Sequence, residues 1–182
     1  MGRALQHLDP GTRGAPLLQP LQVGVISDTH GMLRLPVRKL LIGRDYIFHA
    51  GDIGGCEILD ALAATAPVIA VKGNNDTGPW TAKLRKTELV RVGSVFIYMI
   101  HNLRDLDFDL SSAGVRVVIY GHSHRPCIEE RGGILYLNPG SCGARRFKLP
   151  ISMATLTVAG DAVDAQICEL TGDARAGDAS YV

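Results

Sequence analysis

The sequence predicts an α/β fold in which parallel strands alternate with helices. In its first half, short apolar runs rich in Val and Ile alternate with stretches that have the spacing of amphipathic helices. This alternation is typical of βαβ units and a parallel sheet. Each apolar run also ends abruptly in glycine or polar residues, as expected for buried strands whose carboxyl ends share one edge of a sheet.

The first half of the chain contains three predicted strands and two predicted helices. In chain order these are strand 21–27, helix 32–42, strand 46–49, helix 57–64 and strand 67–71. Pro36 is compatible with the first helix only near its first turn, because proline lacks the backbone N–H that a helix interior needs.

The second half is predicted to be richer in strands. Gly93 separates two apolar segments and therefore indicates a hairpin. The predicted elements are strands 87–92 and 94–100, a short helix 106–113, strands 115–120 and 133–137, and a closing hairpin of strands 151–158 and 162–170.

A single domain is predicted over residues 21–170. The chain has 182 residues, which is enough for one domain with a full hydrophobic core. Residues 1–20 carry little apolar periodicity and are predicted to be a flexible extension, and residues 171–182 are predicted to be a flexible tail. No signal peptide is expected, because the start of the chain lacks an apolar segment followed by a cleavage site.

The composition argues against several classes of function. Hydrophobic residues make up 46% of the chain, charged residues 20%, and the net charge is +1. No basic stripe suggests a nucleic-acid or membrane surface, and no apolar run approaches the roughly 20 residues of a membrane span. The four cysteines show no C-x-x-C pairing, which favours reduced thiols and a cytoplasmic location.

Residue types that bind metals follow five of the predicted strands. The candidate ligands are Asp28, His30, Asp52, Asn74, His101, His122 and His124. Three oxygen ligands and four imidazoles suit a transition metal better than Ca²⁺ or Mg²⁺, which favour oxygen alone. Seven ligands are too many for one tetrahedral ion, so the sequence predicts two ions that share a carboxylate. Such paired sites hydrolyse phosphate esters.

Four glycines at the ends of apolar runs fit the same interpretation. They are Gly51, Gly73, Gly121 and Gly140. Glycine at such positions permits a sharp turn or a close approach of the backbone to a bound group.

The order of these motifs resembles the calcineurin-like metallophosphoesterase family. The motifs are Asp28-x-His30, Gly51-Asp52, Gly73-Asn74-x-Asp76, His101 and Gly121-His122-x-His124. The chain length and the sequence Asn138-Pro139-Gly140-Ser141 resemble the small prokaryotic phosphodiesterase branch of that family, and the resemblance covers about residues 21–170. It implies a four-layer αββα sandwich, with two mixed β-sheets flanked by helices.

The resemblance also implies a role for each candidate residue. One ion would be held by Asp28, His30, Asp52 and His124, and the other by Asp52, Asn74, His101 and His122. Asp52, Asn74 and His101 would form the catalytic set, and Asn74 and Asn75 would bind the substrate. A hydroxide between the ions would attack phosphorus in line with the leaving oxygen. Manganese is the expected metal, with nickel, zinc or iron as alternatives.

Two positions depart from the family pattern. Asn75 stands where many members have a histidine that assists the leaving group, and an amide cannot protonate an alkoxide at neutral pH. Slow turnover that favours good leaving groups is therefore expected. Asn102 follows His101 where glycine is usual, and asparagine is among the residues that best tolerate a positive φ.

The predicted function is a binuclear metal-dependent phosphodiesterase that acts on a small-molecule phosphate ester. The alternative is a non-catalytic scaffold of the same fold, resembling a subunit of a membrane-trafficking coat. Asn75 is compatible with a scaffold, but a scaffold would not need all seven ligands. A nuclease is a third option, which the near-neutral charge disfavours. No membrane partner is expected, and a homo-oligomer stays open.

Two further sets of residues receive structural interpretations. His49 precedes the Gly51-Asp52 motif and is predicted to be a hydrogen-bonded core histidine that points away from the ligands. The basic residues Arg145, Arg146 and Lys148 are assigned to a solvated loop, with contact to a substrate phosphate as the alternative.

Overall fold

Two mixed β-sheets stacked face to face form the frame of this computed structural model, which describes residues 6–8, 19–146 and 148–170. The strands are β1 (Gln6–Leu8), β2 (Leu21–Ile26), β3 (Tyr46–His49), β4 (Val68–Ala70), β5 (Thr87–Val92), β6 (Val95–Ile100), β7 (Val115–Ile119), β8 (Cys127–Arg131), β9 (Ile134–Asn138), β10 (Ser152–Ala159) and β11 (Ala162–Glu169). The helices are α1 (Leu35–Leu41) and α2 (Cys56–Ala63), with short 3₁₀ turns at Pro79–Lys83 and Leu103–Asp105.

Three neighbouring strands in each sheet run parallel to one another. The six-stranded sheet has the order β1-β5-β6-β7-β9-β8, and its strands β6, β7 and β9 are parallel. The five-stranded sheet has the order β11-β10-β2-β3-β4, and its strands β2, β3 and β4 are parallel. The carboxyl ends of these parallel strands are where an open α/β sheet places its ligands.

The main hydrophobic core lies between the two sheets. Val25 and Phe48 of the five-stranded sheet pack in one cluster with Ile97 and Val117 of the six-stranded sheet, and all four are fully buried. Burial of apolar surface of this kind contributes about 25 cal/mol per Å² and holds the sheets together.

Helices α1 and α2 cover the outer face of the five-stranded sheet. Val37 and Leu41 of α1 and Ile58 of α2 pack with Ile26 and Ile47 of the sheet. Strands β2 and β3 are therefore buried on both faces, which explains their continuous apolar sequences.

The outer face of the six-stranded sheet is covered by a loop, and the helix predicted at 106–113 is wrong. Leu110 packs there against Tyr98 and Val118, and the backbone forms a bend at 108 and a turn at 110–114 in place of an α-helix. The physical reason is local: the Asp109 carboxylate accepts hydrogen bonds from the backbone N–H and the hydroxyl of Ser112. Such side-chain bonds compete with the helical backbone pattern. The α/β sandwich is confirmed, with a helical layer on one side and this loop on the other.

Strands β1 and β8 are elements that the sequence pattern missed. The side chains of β8 are mostly exposed, because it is an edge strand that pairs with β9 alone in its sheet. Edge strands lack the apolar run that marks a buried strand. The remaining predicted strands and helices are present with ends shifted by a few residues, and Pro36 lies in the first turn of α1 as expected.

The chain termini are described only in part. Within the predicted N-terminal extension, β1 (Gln6–Leu8) pairs in parallel with β5. Most of the other residues of that extension, and the predicted tail at 171–182, lie outside the described residues. No helix among residues 6–8, 19–146 and 148–170 is long and apolar enough to cross a membrane.

Candidate metal centre

All seven predicted ligands converge where the parallel strands of the two sheets end. The five-stranded sheet supplies the residues after β2, β3 and β4, and the six-stranded sheet supplies those after β6 and β7. Neighbouring ligand atoms form an unbroken series of close contacts from one sheet to the other. The series runs Asp28, His124, His30, Asp52, His101, Asn74 and His122.

The first group of donors consists of Asp28, His30 and His124. Nε2 of His124 lies 3.2 Å from Oδ1 of Asp28 and 3.4 Å from Nε2 of His30. The three residues can present one ligand atom each to a common point. Asp28 Oδ1 is buried and accepts no hydrogen bond among the described residues.

The second group consists of Asn74, His101 and His122. Oδ1 of Asn74 lies 3.1 Å from Nε2 of His101 and 3.0 Å from Nδ1 of His122. Nδ1 of His101 donates to the carbonyl oxygen of Ala50 at 2.6 Å. That bond orients the ring with Nε2 toward the other donors, as a backbone carbonyl does for many metal-binding histidines.

Asp52 lies between the two groups. Its Oδ2 atom is 3.8 Å from Nε2 of His30 in the first group and 3.4 Å from Nε2 of His101 in the second. A carboxylate in this place can contact ions on both sides.

The spacing of the donors fits divalent metal ions. Two ligands about 2.1 Å from one ion lie about 3.0–3.4 Å apart at angles between 90° and 109°. Several donor pairs fall in or next to this range, including His124–Asp28 at 3.2 Å and His101–Asp52 at 3.4 Å. The buried, unbonded Asp28 Oδ1 is a second indication, because an uncompensated carboxylate oxygen is costly in a protein interior.

The backbone at the ligands is strained in a consistent way. Among the described residues, the non-glycine positions with positive φ are all predicted ligands: Asp28 (56°), His30 (47°), Asp52 (55°), His122 (66°) and His124 (58°). A non-glycine residue in this region costs on the order of 1–3 kcal/mol and such strain clusters at functional sites. The strand ends are thus bent to turn these side chains toward one centre.

Two of the four glycines noted in the sequence lie so close to ligand carboxylates that a larger residue would not fit. A Cβ atom on Gly73 would collide with the backbone and Oδ1 of Asp52. A Cβ atom on Gly121 would collide with the hydroxyl of Ser27 and approach Asp28 Oδ2 within 2.9 Å. The backbone is therefore tightly packed at both positions, against neighbouring protein atoms, and close approach to a bound group stays a prediction.

The pKa values of the candidate ligands are shifted in different directions. Burial alone would raise the pKa of Asp52, but hydrogen bonds from His101 and Asn75 outweigh it and hold that pKa well below its usual range. Burial lowers the pKa of His30, and the opposing carboxylates Asp52 and Asp28 offset this only in part. Burial also acts to lower the pKa of His101, but its bond to Asp52 and its contact with Ala50 outweigh that effect and raise it.

Asp76 anchors the loops that carry Asp52 and Asn74. This buried carboxylate accepts hydrogen bonds from the backbone N–H groups of Ile53 (2.8 Å), Gly54 (3.0 Å) and Gly73 (2.8 Å). Asp76 belongs to the motif Gly73-Asn74-x-Asp76, but no role was predicted for it. Its place two residues after the glycine-asparagine pair was the available signal.

Asn138 and Ser141 support the opposite side of the centre in a similar way. The amide of Asn138 donates to the carbonyl of Gly121 at 2.8 Å and to the hydroxyl of Ser123 at 3.0 Å, which holds the His122 loop. The hydroxyl of Ser141 donates to the carbonyl of Asp28 at 2.9 Å. Sequence reasoning used this segment only as part of the resemblance and missed its positioning role.

His49 is a hydrogen-bonded core histidine, as predicted. The backbone N–H of Gly51 donates to its Nδ1 atom at 3.2 Å, so Nε2 carries the proton and donates to the Thr29 hydroxyl at 2.8 Å. Thr29 in turn donates to the carbonyl of Ile53. Burial lowers the pKa of His49 to about 4, which keeps the ring neutral.

Asn75 and Asn102 have contacts that the sequence did not predict. Asn75 donates to Asp52 twice, from its backbone N–H to Oδ1 at 2.8 Å and from its amide to Oδ2 at 2.6 Å. Asn102 has a φ of −108°, so the positive φ considered for it is wrong. Its side chain caps the following 3₁₀ turn by accepting from the N–H of Arg104, a role that glycine could not fill.

The basic loop lies close to the first donor group. Arg145, Arg146 and Lys148 are exposed, in agreement with a solvated loop. The positive charge of Arg146 nevertheless contributes to the lowered pKa of His30, so this side chain lies within electrostatic reach of the centre.

Comparison with known proteins reveals extensive similarity. A model of the calcineurin-like phosphoesterase superfamily domain matches residues 21–161. A probable metallophosphoesterase of Methanothermobacter thermautotrophicus is 36% identical over 156 residues, or 80% of this chain and 90% of that protein. Phosphodiesterase YfcE of Escherichia coli K12 is 31% identical over 160 residues, or 71% and 84%. A Vps29 structure from Entamoeba histolytica with Zn²⁺ has a TM-score of 0.62 at 24% identity, over 82% of this chain and 99% of that one.

Proposed function

The chain belongs to the calcineurin-like phosphoesterase superfamily, and on that premise we propose that it is a binuclear metal-dependent phosphodiesterase. The observation that supports this most is the position of Asp52 between two groups of donors. The first ion would be held by Asp28, His30, Asp52 and His124, and the second by Asp52, Asn74, His101 and His122. Manganese is the expected ion, and nickel, zinc and iron are the alternatives.

The reaction consumes one water. Its oxygen forms a new bond to phosphorus, and the bond from phosphorus to the leaving oxygen breaks. The leaving oxygen then takes up a proton equivalent to one released by the water. When bound, two divalent ions supply an activated water as nucleophile and neutralise charge on the phosphoryl oxygens.

The protein contributes rigid placement and charge. The low pKa of Asp52 keeps this carboxylate ionised at all physiological pH values, and the two bonds from Asn75 fix its orientation. Asn74 and His101 border a cavity on the same side, where a substrate can reach them. Substrate contact by Asn75 itself stays a prediction, because its amide is engaged with Asp52.

Metal removal and reconstitution test this proposal. We expect protein treated with chelator to be inactive against bis(4-nitrophenyl) phosphate, and Mn²⁺, Ni²⁺ or Zn²⁺ to restore hydrolysis better than Mg²⁺. Elemental analysis should then find about two ions per chain. Absence of hydrolysis with every ion would contradict the enzymatic proposal, and a single tightly bound ion would contradict its binuclear form.

A non-catalytic interaction protein of the same fold is the second candidate. The observation that favours it is a group of exposed apolar side chains at α1: Leu35 (45% exposed), Leu40 (38%) and Ile42 (70%). Exposed apolar surface of this kind can mark a contact site for another protein. Protein that binds metal but hydrolyses no ester would favour this candidate over the enzyme.

A further inference from the structure

A cavity of about 710 Å³ adjoins one side of the metal centre. His101, His122 and Asn74 contribute to its lining, whereas none of Asp28, His30 and His124 does. This volume lies within the range of about 300–1,000 Å³ that is typical of small-molecule sites. A substrate bound in the cavity would therefore reach the centre from the side of the second donor group.

Two lysines stand side by side on one wall of the cavity. Val71 and Arg85 are partners in a parallel β-bridge, and the N–H of Lys72 donates to the carbonyl of Arg85 at 2.7 Å. Lys72 and Lys86 are the next residues along each strand, and both line the cavity. Both lysines therefore border the same cavity, next to a point where the two segments are bridged.

This arrangement places two positive charges on the same cavity. Neither ammonium group forms an ion pair with a carboxylate in the described part of the chain. An anionic group bound between the two lysines would reduce their mutual repulsion.

Carboxylates also line the cavity. Asp105 and Asp107 lie with Asn102 on the loop that follows His101, and Asp76 is engaged by the backbone N–H groups of Ile53, Gly54 and Gly73. An anionic ligand group is therefore directed to the lysine side. Lys72 is two residues before Asn74, so their α-carbons are at most about 7 Å apart. A molecule of metabolite size can span both the lysines and the metal centre.

We propose that Lys72 and Lys86 bind a second anionic group of the substrate. The preferred substrates are then small phosphate esters that carry a further phosphate or carboxylate group at a distance from the scissile bond. This inference rests on the proposed phosphodiesterase function, which it deepens by assigning the substrate class.

Matched esters provide the test. 4-Nitrophenyl propyl phosphate and 4-nitrophenyl 3-carboxypropyl phosphate share the leaving group and the scissile phosphodiester, and only the second carries the additional anion. We expect kcat/KM of the manganese-loaded enzyme to be at least about tenfold higher for the carboxylate ester. Added NaCl should reduce the preference, because salt screens exposed charges.

Substitution of both lysines separates their role from that of the centre. The double variant Lys72→Met, Lys86→Met should lose the preference through a higher KM for the carboxylate ester and should hydrolyse the propyl ester within about twofold of the unmodified enzyme. Lys39→Met on α1, far from the cavity lining, is the matched control and should retain the preference.

A binding measurement that requires no hydrolysis completes the test. Propane-1,3-diyl bisphosphate and propyl phosphate are titrated calorimetrically into metal-loaded protein and into the double variant. Tighter binding of the bisphosphate that depends on the lysines supports the inference, even if no ester is hydrolysed and the proposed function fails. Hydrolysis of both esters at equal rates, with bisphosphate binding unchanged in the double variant, overturns the inference while the proposed function stands.

Discussion

At the scale of single residues, backbone strain coincides with the predicted ligands of the candidate metal centre. The left-handed φ values of Asp28, His30, Asp52, His122 and His124 would each be unfavourable in an ordinary loop. Hydrogen bonds such as that from the N–H of His122 to Asp28 Oδ2, at 3.2 Å, hold these bends in place. Without ions, the repulsion of unshared lone pairs at the centre adds to this cost.

Substitution of Asp52 should separate metal binding from folding. We expect Asp52→Asn to lower the bound metal from about two ions per chain to at most one and to reduce hydrolysis by at least about a hundredfold, because the shared ligand loses its charge. Circular dichroism should remain that of the unmodified protein. Asp60→Asn, at an exposed position on α2, is the control and should bind metal normally. Full metal content in Asp52→Asn would show that this carboxylate does not bridge.

Asn75 should make the rate depend on the leaving group. Without an acid at this position the leaving oxygen departs largely unprotonated, so aryl esters should react far faster than alkyl esters. General acid assistance is typically worth about 10²–10⁴-fold. A rate series over esters of graded leaving-group pKa, for wild type and Asn75→His, measures this directly. A flat series in the wild type would show that another group supplies the proton.

At the scale of elements, buried polar side chains connect the strand ends to one another. Asp76 joins the loops after β3 and β4, Asn138 holds the loop after β7, and His49 links the loops after β2 and β3. All three side chains are buried. Their role is to fix loops whose ligands would otherwise repel each other.

Removal of the Asp76 carboxylate should destabilise the fold. Asp76→Ala leaves three backbone N–H groups without their acceptor, and hydrogen bonds to charged groups contribute about 1.5–3 kcal/mol each before relaxation. We expect a loss of about 2–4 kcal/mol in the free energy of unfolding, measured with urea on metal-free protein. Asp60→Ala, which removes an exposed carboxylate from α2, should change it by less than about 0.5 kcal/mol. Equal effects of the two substitutions would refute the anchoring role.

His49 should make the metal-free protein sensitive to acid. Its pKa is about 4 in the folded state against 6.5 for the free side chain, so between these values the unfolded chain binds more protons. The stability that the neutral ring contributes is therefore complete above pH 6.5 and falls as the pH drops toward 4, by about 3 kcal/mol in all. Urea unfolding across this range should show a shallower pH dependence in His49→Gln, which cannot take up the proton. The same slope in both proteins would be the contrary result.

At the scale of the whole molecule, the metal centre depends on the contact between the two sheets. Asp28, Asp52 and Asn74 follow strands of one sheet, and His101 and His122 follow strands of the other. Residues such as Ile97 in the intervening core therefore determine how far apart the two sets of ligands lie. Bound ions would in turn connect the sheets.

Metal binding should consequently stabilise the entire fold. At a free ion concentration about 100 times Kd, binding to the folded state alone adds about 2.7 kcal/mol per site. We expect the thermal midpoint to rise when Mn²⁺ replaces chelator, and Asp52→Asn to lose most of that rise. An identical midpoint with and without the ion, at concentrations that saturate activity, would contradict a centre that joins the sheets.

Much of this architecture was predictable because its signals are local. Apolar β-branched runs predicted β2, β3, β6 and β7 with ends within a residue or two of the structure. The polar residues that follow those runs and β4 identified every member of the candidate centre. The periodic pattern gave the wrong element where side chains compete with the helical backbone for hydrogen bonds, as the bond between Asp109 and Ser112 does.

The sequence by itself determined the α/β class, the strand ends that carry the ligands and the chemical types of the seven donors, since each depends on neighbouring residues along the chain. Only the tertiary structure decided that His101 and His122 of one sheet meet Asp52 and Asn74 of the other, that Asp76 and Asn138 hold their loops, and that Lys72 and Lys86 share one wall of a cavity. The physical reason is that these contacts join residues far apart in sequence, and their distances follow from how two sheets pack rather than from any local pattern.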